Sequence, residues 1–436
     1  MLKIRGREKA IFAVAIIGVG FAASYLVPRA ERSVVIESKY PAQACPVFAS
    51  AGSTTASLPT SRLKIRFIDG RSTSFKSTRY SQIALTKSAL LINSNPGSSL
   101  IFSALASSGI AAAACSAGSP DEWFIGGSGG LTSKGQLQLV NSGLSESIVD
   151  IYPFTSKSSL AQISVKVKAN SSAVIALDAL APGDDSMALH VVARTGRISA
   201  FVLDQRAKGL SKLGMDYVKA SGAPAKELFI PAIYPHTNSK SSILNSLRLL
   251  VPGTLDATVH VQVISGDSSF VPVGFDSLQV AHGTALTIPL TNLTTASAFG
   301  LQITADQPIL AGTLTTDGSQ DFAWAAPVDP LVNTSMNFAG QVPVLTFMGK
   351  SISVKVSGNY VTGKRFAQTI TGTDFAMWAP KTGITSIHFQ TNGGADSPVF
   401  AGALFTSGGL TTLPIERGGP LENTTLPFND VHTLTH

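Results

Sequence analysis

Cysteine, charge and long apolar runs are all scarce in this sequence. Only two cysteines, Cys45 and Cys115, occur in 436 residues, and no C-x-x-C pair or histidine cluster accompanies them. A redox or metal role therefore has no support, and a single structural disulfide is expected. Closing a loop of ~70 residues would stabilise the fold by roughly 4 kcal/mol in the chain-entropy account. Charged residues make up only 14% of the chain, which excludes a coiled coil and a fully disordered chain. Only one stretch is long and apolar enough to span a bilayer, so a multi-span membrane protein is excluded. Outside it there is no helix-period segment of 10 residues, so the helical crossovers of a parallel α/β sheet are missing.

The one apolar stretch lies between Lys9 and Arg29, AIFAVAIIGVGFAASYLVP. An 18-residue helix spans roughly 27 Å, enough for the hydrocarbon core. Lys3, Arg5, Arg7 and Lys9 precede it, which predicts a cytoplasmic N-terminus and an extracytoplasmic remainder. An uncleaved anchor over residues 1–32 is favoured over the alternative, a signal peptide cleaved near Gly20 and Ala22. Residues 1–32 carry six basic and two acidic groups, so +4 of the formal +7 sits there and +3 remains for the rest. That balance argues against nucleic acid as a partner.

What is abundant is short, alternating, β-branched segments punctuated by turns. Val259, Val261 and Val263 alternate with Thr258, His260 and Gln262, and APGDDS, VPGTLD and SNPGSS break the runs. Residues 169–204 align without a gap on 281–316 at an offset of 112, pairing Leu189 with Leu301, Val191 with Ile303 and Val202 with Leu314. The same offset pairs Leu137 with Leu249 and Val149 with Val261, which indicates a duplicated unit. SPVFAGALFTSGG (397–409) resembles QPILAGTLTTDGS (307–319) and marks a third copy, and 61–116 holds a degenerate fourth. The expected fold is all-β: tandem immunoglobulin-like antiparallel sandwiches behind one transmembrane helix. The expected divisions are 1–32 (tail and anchor), 33–120 (degenerate β unit with the disulfide), 121–230, 231–320 and 321–418 (β-sandwich units), and 419–436 (tail).

Chemical motifs are sparse. GGSGG at 126–130 satisfies G-x-S-x-G with Ser128 in the nucleophile position, but turn and strand, not helix, are predicted after it. A serine hydrolase is the third-ranked reading on that ground. His190 and His260 are read as surface histidines, and Asp184 and Asp185 as turn residues, so no metal site and no cofactor are expected. Trp123, Trp324 and Trp378 fall near unit boundaries. Packing is their expected role, with ligand stacking as the sharper alternative. Arg62, Lys64 and Arg66 alternate with Leu63, Ile65 and Phe67, giving one strand a basic face for polyanion contact or for edge protection.

The anchor, the Cys45–Pro46 pair, Cys115 ahead of Trp123 and Gly126–Gly130, L-x-L-x-N-x-G at 137–143 and A-D-x-P-x-x-A-G at 305–312 together carry a likeness. The chain resembles an actinobacterial family of exported, single-pass proteins known only as a domain of unknown function. The resemblance implies an envelope location and brings no catalytic residues with it. The combined expectation is a non-enzymatic, membrane-anchored extracytoplasmic scaffold or interaction module, with envelope proteins or wall polysaccharide as partners. A carbohydrate- or wall-polymer-binding module is the alternative.

Overall fold

Strict alternation becomes one-sided burial. In the strand Ala257–Ser265 the three valines are fully buried, while Thr258, His260 and Gln262 stay partly exposed. The computed structural model describes residues 43–416, except 49–52, 59–61, 71–72, 77–80, 86–87, 94–98, 105–108, 236–242, 292, 294, 296 and 392–396. The predicted anchor and the 419–436 tail lie outside the described residues. Among the described residues no helix is long and apolar enough to cross a membrane. Among the described residues the chain is all-β, with its strands paired antiparallel and one helical turn, Leu177–Leu180.

The N-terminal strands form two four-stranded sheets. One runs in the order Gln43–Cys45, Leu90–Asn93, Arg62–Phe67, Thr73–Lys76, and the other Ser81–Leu85, Ser53–Leu58, Leu100–Ala104, Ile110–Ala114. The Cys45–Cys115 disulfide joins the first strand to the end of the last. The next unit has a four-stranded sheet centred on Gln136–Asn141 and Ser199–Lys208, with Ser211–Val218 at its edge. It also has a five-stranded sheet that ends in Asp121–Phe124 and Ala220–Ser221. In the third unit one 18-residue strand, Phe299–Thr316, serves two surfaces. Its first half pairs with Ala257–Ser265 and Ala225–Ile233, its second with Leu244–Leu250 and Phe322–Ala325. The last unit is built on the long hairpin Val344–Tyr360 and Arg365–Trp378, flanked by Ile384–Thr391, Phe400–Phe405 and Thr411–Pro414.

These units share cores. Ile101, Ala111 and Ala113 point into a cluster with Cys45, Leu63, Leu90 and Ile92, which also takes in Val140, Phe201, Leu203, Met215 and Tyr217 of the second unit. The alternate residues of the same two strands, Leu100, Phe102, Ile110 and Ala112, join the core of the last unit with Phe347, Phe389 and Phe405. Both faces being buried explains the unbroken apolar run IAAAA. Phe322 and Trp324 of the third unit likewise complete the second unit's core. The described residues thus fall within one compact unit in which neighbouring sheets share cores.

The strand pairings do not follow the ungapped offset of 112 expected from the sequence. Val149 pairs with Ala193, and its counterpart pairing is Val259 with Ala305; Leu139 pairs with Ala200, and Leu249 with Ala311. The offset is therefore 110 for the earlier strands, 112 for Ala188–Ala193 and 111 for the following one. A period of two cannot distinguish shifts of two, because the same face stays buried. The stretches 199–205 and 309–313 are buried on both faces, so there the pattern holds no register information.

Candidate functional site

Four strands, one from each unit, pack side by side in a closed ring at the centre: Ile110–Ala114, Ser211–Val218, Phe322–Ala325 and Thr411–Pro414. Sheet edges meeting this way leave backbone groups that need partners, and polar side chains supply them. Asp216, wholly buried, accepts from Lys219 Nζ at 3.0 Å on both oxygens, from the Trp324 N–H at 2.8 Å and from Thr411 Oγ1 at 2.6 Å. Thr411 Oγ1 in turn accepts the Ala112 N–H at 3.0 Å, and Thr412 Oγ1 donates to the Trp324 carbonyl at 2.6 Å. The Lys219 ammonium also donates to the Tyr217 carbonyl at 2.7 Å, so its three protons are committed. Burial pushes the Asp216 carboxyl up to about 6 against the pull of Lys219. Burial also pushes the Lys219 ammonium down, opposed by Asp216. Trp324 Nε1 donates to Asp204 at 3.0 Å, and the guanidinium of buried Arg248 lies 4.9 Å from the Trp324 ring. Arg248 is held by the carbonyls of Gly127, Met187 and Asp185 and by Thr287 Oγ1.

Beside this hub opens a cleft in two parts. The smaller, about 310 Å³, is lined by Ala113–Ser119, Glu122, Phe124, Ala200–Val202, Tyr217–Ala220, Met336, Pro414 and Glu416. The larger, about 660 Å³, includes Asp121, Ser221, Glu227, Phe229, Val328, Asp329 and Phe400. The two meet at Ser119, Glu122, Ala220 and Glu416, which line both. Burial pushes Glu122 up to about 8, although its carboxyl accepts the Ala200 N–H at 3.1 Å and a bond from Ser116. Burial and the neighbouring Asp329 carboxylate push Glu416 up to about 7. Phe229 and Phe400 stack at 3.9 Å in the wall. Apolar walls with a few convergent polar groups and displaced acids are the general signature of a ligand cleft.

This all-β architecture, with a cleft where its units join, defines the class of molecule. Residues 101–371, well over half of the chain, match the sequence model of a family of unknown function, DUF5719, and the chain belongs to that family. No curated protein and no solved structure matches it.

The residues singled out in the sequence fall in several places. Cys45 and Cys115 are disulfide-bonded to each other. Ser128 is buried and donates to Asp185 Oδ1 at 2.8 Å while accepting the Gly130 N–H, so its partner is a carboxylate and not a histidine. Its loop needs glycine for space: a Cβ on Gly129 would lie 1.8 Å from the Ala181 carbonyl oxygen. Asp184 is occupied by Ser156 and Ser186, and no group of three or more potential ligands for a metal occurs among the described residues. Trp123 is buried and stacks on His190 at 3.7 Å, and Nε2 of that imidazole lies 2.9 Å from Asp121. His260 Nδ1 lies 3.2 Å from the Asp276 carbonyl oxygen. Trp324 is 1% exposed, with no face open to a ligand, and Trp378 is half-buried beside Phe366. Lys64 is exposed, whereas Arg66 donates to Asn170 at 2.6 Å; the Arg62 side chain lies outside the described residues. The cleft and hub residues Glu122, Glu416, Asp329, Asp216 and Lys219 went unremarked. Their only signal in the sequence is a charge set inside an apolar stretch, as in GMDYVK and LPIE.

Proposed function

We propose that this chain is a non-enzymatic binding module of the cell envelope. A membrane anchor at its N-terminus holds tandem immunoglobulin-like units outside the cell, and the cleft at their junction takes the ligand. The observation that carries this reading is the two-part cleft at Glu122 and Glu416, set against a hub that locks four units together. A rigid support on several elements is what a precise site needs. Supporting the non-catalytic part, Ser128 is tied into loop packing and its hydroxyl is spent on Asp185. Ligand stacking is assigned to neither Trp123 nor Trp324, since both rings are packed.

The test is retention of the full-length chain on fractionated cell envelope over a salt series, beside Ala220→Trp. Ala220 is exposed and lines both parts of the cleft, so an indole there fills the cleft whatever the ligand. Saturable retention that Ala220→Trp abolishes is expected. Retention identical in the two proteins, or lost at modest salt as for a polyanion contact at Arg62, Lys64 and Arg66, overturns the reading.

A further inference from the structure

Two apolar side chains stand in solvent at one end of the second unit. Leu131 and Leu210 are wholly exposed, more so than any other large apolar residue among the described residues. The backbone puts both of them there. Ser199–Lys208 turns into Ser211–Val218 through Gly209 and Leu210, with Ala207 paired to Lys212 and Lys208 to Ser211. Gly209 takes the positive φ of 59° that so tight a turn requires, which leaves Leu210 at its tip. Leu131 belongs to the loop beside that hairpin. The Ala207 N–H donates to the Thr132 carbonyl at 2.8 Å, and the Lys134 N–H to the Gln205 carbonyl at 2.7 Å. A loop and a hairpin tied together at their base thus carry a leucine each.

The charge of these two segments is of one sign. LTSK (131–134) and RAKGLSKL (206–213) hold Lys134, Arg206, Lys208 and Lys212 and no acid. Arg206 is spent on Asp204, whereas the three lysines are exposed and form no ion pair among the described residues. Acids of adjoining elements sit nearer the base. Asp185 lies beside Gly130 and accepts from Ser128, Asp178 is on the helical turn that packs at Gly135, and Asp317 is in the turn that packs at Gly214. Single exposed leucines are ordinary on a protein surface, but a pair on tethered tips among lysines matches both layers of a bilayer face, acyl chains and anionic headgroups. From this arrangement we infer that the loop at Leu131 and the hairpin at Leu210 form a membrane-contact tip. The leucines enter the acyl boundary, and Lys134, Lys208 and Lys212 reach back to anionic headgroups on their flexible stems. The contact is separate from the junction cleft and from the expected anchor, and it turns one end of the second unit toward the lipid.

The experiment places an indole at the tip, Leu210→Trp in the full-length chain, and reads its fluorescence on vesicles. The vesicles are phosphatidylcholine alone or with phosphatidylglycerol, each with and without brominated acyl chains, and the unsubstituted chain supplies the signal of the native tryptophans. An anchored chain enters both lipids alike, so the difference between them reads the tip. A blue shift and bromolipid quenching of the introduced indole are expected on the anionic vesicles and not on the neutral ones, weakened by salt. Lys208→Gln with Lys212→Gln lowers the ratio of docked to free tip about thirtyfold, and Leu131→Ser lowers it about tenfold. All three positions are exposed, so these changes leave the core untouched. Equal quenching on the two lipids, quenching on neither, or indifference to the lysine changes overturns the inference. A blue shift produced by an envelope protein fraction and by no lipid also overturns it, and makes the tip a protein-docking surface instead.

Discussion

Replacing Lys219 by methionine tests whether the central hub is the ionic lock its geometry describes. The side chain keeps its volume and loses three donors, all of them engaged with Asp216 and the Tyr217 carbonyl. Asp216 has no exposure, so its carboxylate would be left buried without a counter-charge. Breaking a buried pair in this way costs roughly 3–5 kcal/mol. The cost must depend on pH, and its sign follows from the carboxyl. Burial already holds Asp216 near 6 with the ammonium present, and removing the ammonium raises it further. A carboxyl raised in the folded state favours folding at low pH and loses that advantage as pH climbs from its unfolded value through its folded one. Lys219→Met is therefore mild at about pH 5, where Asp216 takes a proton, and severe at about pH 8. Adding Asp216→Asn removes the stranded charge and keeps an acceptor for Thr411, so the double variant regains at least ~2 kcal/mol at the higher pH. Urea unfolding of the full-length chain at both pH values measures all four corners of the cycle. A single-variant cost under ~1 kcal/mol at pH 8, or one independent of pH, refutes the ionic lock.

Other perturbations follow from the same structure. Glu122→Gln mimics the protonated acid, so its stability relative to the parent rises with pH by up to ~1.4 kcal/mol per unit between about 4.5 and about 8; parallel pH profiles of the melting midpoint would contradict this. Cys45→Ser with Cys115→Ser, which opens a loop of sequence separation 70, lowers stability by roughly 4 kcal/mol in denaturant titration, and no change refutes the staple. Gly312→Ala places a methyl 2.3 Å from the Ile125 carbonyl oxygen and destabilises by at least ~2 kcal/mol. Gly253→Ala, with open space around it and no positive φ, stabilises by roughly 0.4–1 kcal/mol; thermal unfolding of the pair would count against the packing if the order were reversed.

The fold class was legible because half-buried strands write their burial into period two, as Val259 to Val263 do. The register of the expected duplication was not legible, because an alternating pattern matches itself at every even shift. The junctions were opaque for a different physical reason. Leu100 to Ala104 and Ile110 to Ala114 are buried on both faces, by two different cores, and a run such as IAAAA does not say which neighbour covers which side. The hub residues sit in such strands, so the carboxylate of Asp216 and the guanidinium of Arg248 look in sequence like stray charges. The cleft is harder still. Glu122 and Glu416 are 294 positions apart and meet only because strands from separate units converge.

That convergence explains why the centre is polar at all. The units meet through largely apolar surfaces, and apolar contact alone would let them dock in several registers. Hydrogen bonds from Asp216 to the Trp324 N–H and Thr411, and from Thr411 to Ala112, are directional and are satisfied only when the right strand from each unit arrives. The A-G pair repeated at 311–312 and 401–402 works in the same sense. Each glycine admits close approach of a neighbouring unit, Ile125 at one and Ala232 at the other, while the matching position in the second unit is Phe201, which fills the N-terminal core instead. Differences at such positions thus bear on which unit meets which. The cleft exists where that fixed meeting leaves space.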